Sequence, residues 1–215
     1  MQFEMQALTR DERYKLLTSS ITPRPIAWVT TQSLAGIRNA APYSFFNMMG
    51  ADPPIVVLGL MRRQDGRYKD TACNILETEQ FVINLVREAD APLMNFSCID
   101  APPEFDEIEA GGIPVVPSSR VAPPRIASAP VSLECRLFEH VEISTSSSVV
   151  LGEVLVMHID DRLIDRTNLH VDTLAMHLIG RMHGAGWYTR TQDVFQLTRP
   201  RYEEWIDNLE ETSRK

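Results

Sequence analysis

Residues 131–144 read VSLECRLFEHVEIS, and the fold class turns on how this stretch is read. Val131, Leu133, Cys135, Leu137, Val141 and Ile143 fall on one face of an extended chain, and only Glu139 breaks the series. Ser132, Glu134, Arg136, His140 and Glu142 fall on the other. A period of two residues is that of a half-buried β-strand. The run Ser144 to Ser148 reads as a turn. Val149 to Asp161 is apolar on both faces, as expected of a strand covered on each side.

The same logic extends upstream. Thr9 and Glu12 form a capping box that opens a short helix to about Thr18. Ile26 to Thr31 reads as a strand, Ala35 to Asn39 as a turn, and Ala40 to Met48 as a second extended segment. Ile55 to Met61 is a third, launched by the Pro53-Pro54 pair. Asp70 reads as the cap of a helix to about Thr78, Phe81 to Val86 as a strand, and Ala89 to Phe96 as a short helix. Residues 100–130, rich in Pro and Gly, read as a long excursion packed on the body through Ile113, Val115, Val116 and Ile126. At about 200–212, Tyr202, Trp205, Ile206 and Leu209 repeat at i, i+3, i+4, i+7, an amphipathic helix. Its Glu203 and Glu204 stand in the first turn and Arg214 and Lys215 at the end, which suits the macrodipole. Strands joined by short turns, with few helices, predict an antiparallel barrel or sandwich in one domain over 1–215.

Composition narrows the partners. With 21 basic against 29 acidic residues the net charge is −8, and no basic run exists. Nucleic acid and anionic membrane surfaces are therefore not expected partners. No apolar run could span a bilayer, and the opening MQFEMQALTRDERYK lacks the apolar core of a signal peptide, so a cytoplasmic location is expected. Cys73, Cys98 and Cys135 form no CxxC pair and read as reduced thiols. His177 and His183 lie six apart, and His170 and His177 lack a matching carboxylate, so no metal is expected. Gly184-Ala185-Gly186 has neither a third glycine nor a βα unit before it, and no P-loop occurs.

What remains is an anion site in dispersed pieces. In ITPRPIAWVTT (21–31) two prolines stiffen the connection that carries Arg24, and Thr30 and Thr31 end the strand that follows. Ser44 lies in NAAPYSFFN. Lys69-Asp70-Thr71 opens a helix whose free N–H groups and dipole suit a phosphate. Each piece alone is commoner as a cap or turn.

The ordered motifs ITPRPIAWVTT, GIRNAAPYSFFN, DPPIVVLGL, KDTACNI, FVINLV, PPEFDEIEAGGIPVVPS, PPRIASAPVSLEC, LGEVLVMHIDD and IGRMHGAGWYTR resemble the flavin reductase-like, FMN-binding split-barrel family. The resemblance runs from about Leu16 to Pro200. It implies a mainly β, six-stranded antiparallel Greek-key barrel with peripheral helices, a homodimer, and FMN near the subunit interface. It also implies that Arg24, Thr30, Thr31, Lys69, Asp70 and Thr71 serve the phosphate and ribityl end. Asn39, Ala41, Ser44 and Phe45 would run along the isoalloxazine. Arg181, His183 and Gly184 would form the substrate pocket, with His183 standing where the family often has glycine. The implied activity is NAD(P)H-dependent flavin reduction, or FMN-dependent oxidoreduction more broadly, with NADH or NADPH as hydride donor and a monooxygenase component as a further partner. No general acid or base is assigned. The alternative is a split barrel that holds FMN or another planar cofactor without NAD(P)H turnover.

Overall fold

The computed structural model describes residues 1–203 and 205–206. Its strands are β1 (Ala27–Gln32), β2 (Arg38–Tyr43), β3 (Phe46–Ala51), β4 (Pro54–Met61), β5 (Gln80–Leu85), β6 (Val115–Val116) and β7 (Arg125–Ile126). There follow β8 (Val131–Ser144), β9 (Ser147–Ile159), β10 (Ile164–Asp165), β11 (His170–Val171), β12 (Ile179–Arg181) and β13 (Tyr188–Arg190). The helices are α1 (Arg10–Ser20), α2 (Asp70–Thr78), α3 (Ala91–Phe96) and α4 (Glu107–Ala110). The expected capping box of Thr9 and Glu12 starts α1. Of the helix expected at about 200–212, Tyr202, Glu203, Trp205 and Ile206 are helical; Glu204 and the rest lie outside the described residues. No described helix is long and apolar enough to cross a membrane.

Seven strands form one antiparallel sheet in the order β2-β1-β5-β8-β9-β4-β3. The resemblance implies six. The difference lies at Ser44 and Phe45, where the extended segment expected over Ala40 to Met48 bends between β2 and β3. Because β2 and β3 are the two outermost strands, this bend carries the chain from one edge of the sheet to the other. The Gly59 N–H donates to the Phe45 carbonyl at 2.7 Å across it. A Cβ on Gly59 would stand 2.8 Å from that of Phe45, so the approach requires glycine.

The decisive stretch is a strand, but its alternation changes face midway. Leu137 pairs with Gly152 and Glu139 with Leu151, leaving Phe138 as the extra residue of a bulge. Beyond it the inward and outward faces exchange. Val141 and Ile143, expected inside with Leu133 and Cys135, are exposed. Glu139, the break in the sequence series, marks the bulge.

The interior is filled by Val29, Leu58, Phe81, Ile83, Cys135 and Val150. A second cluster, with Trp28, Met94, Ile108, Ile113 and Ile126, lies where the excursion folds back. Strand β1 is therefore buried on both faces within one chain. Glu134 of β8 holds the far part of the excursion: it accepts from Ser119 N (2.8 Å), Ser119 Oγ (3.0 Å), Arg120 N (2.6 Å) and pairs with His158 Nε2 (2.6 Å).

Candidate functional site

The bend at Ser44-Phe45 and the start of α2 open onto one cleft of about 340 Å³, lined by Asn39, Ala41, Ser44, Phe45, Lys69 and Thr71 among others. Helix α2 begins without a side-chain cap. Its first-turn N–H groups, on Asp70, Thr71 and Ala72, have no intrahelical acceptor and carry the positive end of the dipole. Lys69 is exposed beside them and forms no ion pair among the described residues. The acidic Asp70 would weaken this anion site, but Arg63 bridges it at 3.1 Å and reaches Asp100 at 3.0 Å. The donor set suits a phosphate: free backbone N–H groups, one unpaired ammonium, and a neutralised carboxylate.

A buried polar chain lies beneath. Asn39 Nδ2 donates to Glu107 Oε2 at 3.0 Å, and Asn39 Oδ1 accepts from Thr71 Oγ1 at 2.7 Å. Thr31 Oγ1 donates to Asn39 Oδ1 at 3.3 Å and accepts from Asn74 Nδ2 at 2.9 Å. Glu107 of α4 thus ties the excursion to β2 and, through Asn39, to α2. Burial raises its carboxyl above the ordinary range, and Asp70 adds repulsion; the Ala40 N–H and the Asn39 amide pull the other way.

A second cavity, of about 560 Å³, adjoins the first along Tyr14, Ser44, Phe45 and Gly59. Leu17, Ile21, Pro23, Phe46 and Val57 make its wall apolar, and among the described residues Arg24 is the only charged one in its lining.

The expected site residues therefore divide. Asn39, Ala41, Ser44, Phe45, Lys69, Asp70 and Thr71 line the first cleft together. Thr31 is fully buried behind them in the polar chain. Thr30 points elsewhere, its hydroxyl donating to the Pro124 carbonyl at 2.5 Å beneath the excursion. Arg24 lies in the second cavity, its guanidinium held mainly by the carbonyls of Thr18, Ile21 and Met182. Arg181, His183 and Gly184 line neither cavity. They belong to the β12–β13 hairpin, which reaches the site through the backbone pairing of Arg181 with Arg24. His183 stacks on the exposed Trp187, and Gly184 turns the chain at φ +60°. Glu107, Arg63 and Tyr14 were missed. Only Glu107 left a trace, in the quoted motif PPEFDEIEAGG. Among the described residues no group of His, Cys, Asp and Glu is poised to hold a metal.

Comparison with known proteins bears on this cleft. The model of the family described as "flavin reductase like domain" matches residues 19–177. The chain is 40% identical to a 2-nitrobenzoate 2-nitroreductase of Pseudomonas fluorescens, whose structure superposes with a TM-score of 0.85 over 94% of this chain and 98% of that one. Component B of nitrilotriacetate monooxygenase from Bacillus cereus is 28% identical, with a TM-score of 0.87 over 92% and 98%. An uncharacterized protein of Deinococcus radiodurans is 44% identical over 208 residues, 94% of this chain and 91% of its own.

Proposed function

The chain belongs to the flavin reductase-like family, and from that premise we propose that its first cleft holds FMN for an oxidoreductase that draws hydride from NADH or NADPH. The observation that carries this reading is the uncapped start of α2, with Lys69 beside it, facing a cleft floored by β2. When bound, FMN supplies the two-electron chemistry; the protein supplies orientation and electrostatics. Lys69 and the N–H groups of residues 70–72 hold the phosphate. Thr71, fixed by Asn39, keeps that turn in place, and Asn39 is in turn fixed by Glu107. Ala41, Ser44 and Phe45 lie along the ring. Orienting donor and acceptor rings in the cleft contributes up to about 7 kcal/mol of barrier lowering by proximity.

The outer faces of β8 and β9 leave Phe138, Ile143 and Met157 more than half exposed. We read this patch as the surface of a homodimer. A monooxygenase component that consumes reduced flavin is the further partner proposed, in line with the neighbour that is itself such a component B. A cytoplasmic location completes the proposal.

Titration of FMN and riboflavin tests it. Lys69→Ala should weaken FMN by about 1.5–3 kcal/mol, the worth of a charge-assisted hydrogen bond, and leave riboflavin nearly unchanged. Equal losses for both would remove the phosphate from α2. Flavin-loaded protein that NADH and NADPH fail to bleach without air would instead be a flavin carrier.

A further inference from the structure

The second cavity has a chemistry that the proposed cofactor leaves unused. Its wall is aliphatic and aromatic, from Leu17, Ile21, Phe46 and Val57, and one cation interrupts it. Arg24 is only 8% exposed. Nε donates to Ser44 Oγ at 3.3 Å, Nη1 to the carbonyls of Thr18 (2.6 Å) and Ile21 (2.7 Å), and Nη2 to that of Met182 (2.9 Å). All four acceptors are neutral oxygens. They satisfy hydrogen bonds but leave the charge without a counter-ion, in a chain whose net charge is −8. A guanidinium carries five N–H groups, so one remains on Nη2. Ser44 accepts from Arg24 and keeps its own hydroxyl proton to donate, at a position shared by both cavities.

A second cation stands beside the first. Arg181 is locked to Arg24 by reciprocal backbone hydrogen bonds of 2.8 and 3.0 Å. Its guanidinium donates to the Gly184 carbonyl at 2.9 Å and lies 4.8 Å over the Tyr188 ring. Among the described residues neither arginine meets a carboxylate within ion-pair distance. Two like charges, one of them buried, are costly without an anion to complete them. Each arginine has acidic residues elsewhere in the chain available to it by composition, yet the fold pairs neither.

We propose that this cavity takes a small aromatic anion, such as a benzoate, with its ring against the apolar wall and its carboxylate toward Arg24 and Ser44, while Arg181 adds its charge from beyond the lining. The place of this ligand beside a flavin rests on the function proposed above; the anion site itself rests only on the cavity and its buried arginine. A volume of about 560 Å³ lies within the usual range for small-ligand cavities. A dinucleotide fits this wall poorly, since its riboses and second phosphate would meet carbon.

Calorimetric titration of the whole chain with benzoate and with benzamide, its uncharged counterpart, tests the assignment. Benzoate should bind roughly tenfold or more tightly than benzamide, as a charge-assisted contact requires. Arg24→Gln, where it folds, should bring that ratio toward one while leaving benzamide nearly unchanged, and Arg181→Gln should lower the ratio by a smaller factor. Leu17→Trp, which fills the cavity rim, should weaken both ligands. Equal binding in the unmodified protein, a ratio untouched by Arg24→Gln in folded protein, or benzoate binding indifferent to Leu17→Trp would each overturn the proposal. Separate FMN titrations of the same samples keep the two readings apart. Selective benzoate binding without FMN binding would support the anion site and break the cofactor reading. FMN binding without a benzoate preference would do the reverse.

Discussion

Two buried glutamates hold the excursion to the barrel, and their surroundings shift the two carboxyls in opposite directions. Glu134, on β8, reaches out to the excursion and meets two backbone N–H groups, a hydroxyl and an imidazole. Burial alone would raise its carboxyl; those bonds outweigh burial and bring it down to about 2. Glu107, on the excursion, reaches in to β2 and meets the Asn39 amide and, at 3.3 Å, the Ala40 N–H, besides its own backbone N–H. Burial wins there, and its carboxyl is raised. The saturated carboxylate lies away from the cleft and the poorly satisfied one lies in it. Strain of this kind gathers where a fold serves something besides its own stability.

The largest effect should come from breaking the saturated end. Glu134→Ala leaves two backbone N–H groups and His158 without their acceptor, at a cost of about 3–5 kcal/mol in urea unfolding. FMN affinity of the folded protein should stay nearly constant. A loss under about 1 kcal/mol would show that the excursion is held mainly by its apolar contacts.

Next in size are the pH slopes, which should have opposite signs. The Glu134 carboxyl is lower in the folded chain than in the unfolded one. Its contribution is therefore complete above the ordinary glutamate value of 4.5 and lost as pH falls toward 2, up to about 3 kcal/mol. The Glu107 carboxyl is raised, so its contribution is complete below the ordinary value and lost as pH rises through the raised one. Unfolding curves for Glu134→Gln and Glu107→Gln, compared with the unmodified protein, should flatten opposite slopes. Parallel slopes would end the contrast.

Smaller still, Glu107→Gln should change stability at pH 7 by under about 1 kcal/mol, because the amide oxygen still accepts from Asn39. It should tighten FMN by roughly two- to fivefold, since one negative charge leaves a cleft assigned to a phosphate. Weaker FMN binding would mean that the carboxylate positions Asn39 in a way an amide cannot. The smallest effect belongs to His183→Gly. That side chain is exposed, stacks on Trp187 and lines neither cavity, so stability should move by under about 0.5 kcal/mol, with FMN affinity unchanged within error. A marked loss of FMN affinity would bring the hairpin into the cofactor's shell.

Local signals in the sequence reached far. The period of two over Val131 to Leu137 identified β8, and Lys69-Asp70-Thr71 identified the start of α2. The bulge at Phe138 was written as the misplaced Glu139, yet alternation alone does not say which strand carries the extra residue. The bend at Ser44-Phe45 left no mark, because YSFFNMM reads as one extended run and only the distant Gly59 fixes it. The proline-flanked stiffness of Arg24 was legible; its acceptor on Met182, 158 residues away, was not. Glu107 and Asn39 are 68 residues apart, and nothing local in either motif points to the other.

The hydrogen bond from the Ala40 N–H to Glu107 has one more consequence. Ala40 sits on β2, an outermost strand of the sheet, and is fully buried, so its outward N–H would be an unmet donor in the interior without an acceptor. The carboxylate of Glu107 supplies that acceptor. The group that steadies the cleft thus also closes, together with α4, one stretch of the sheet's outermost strand.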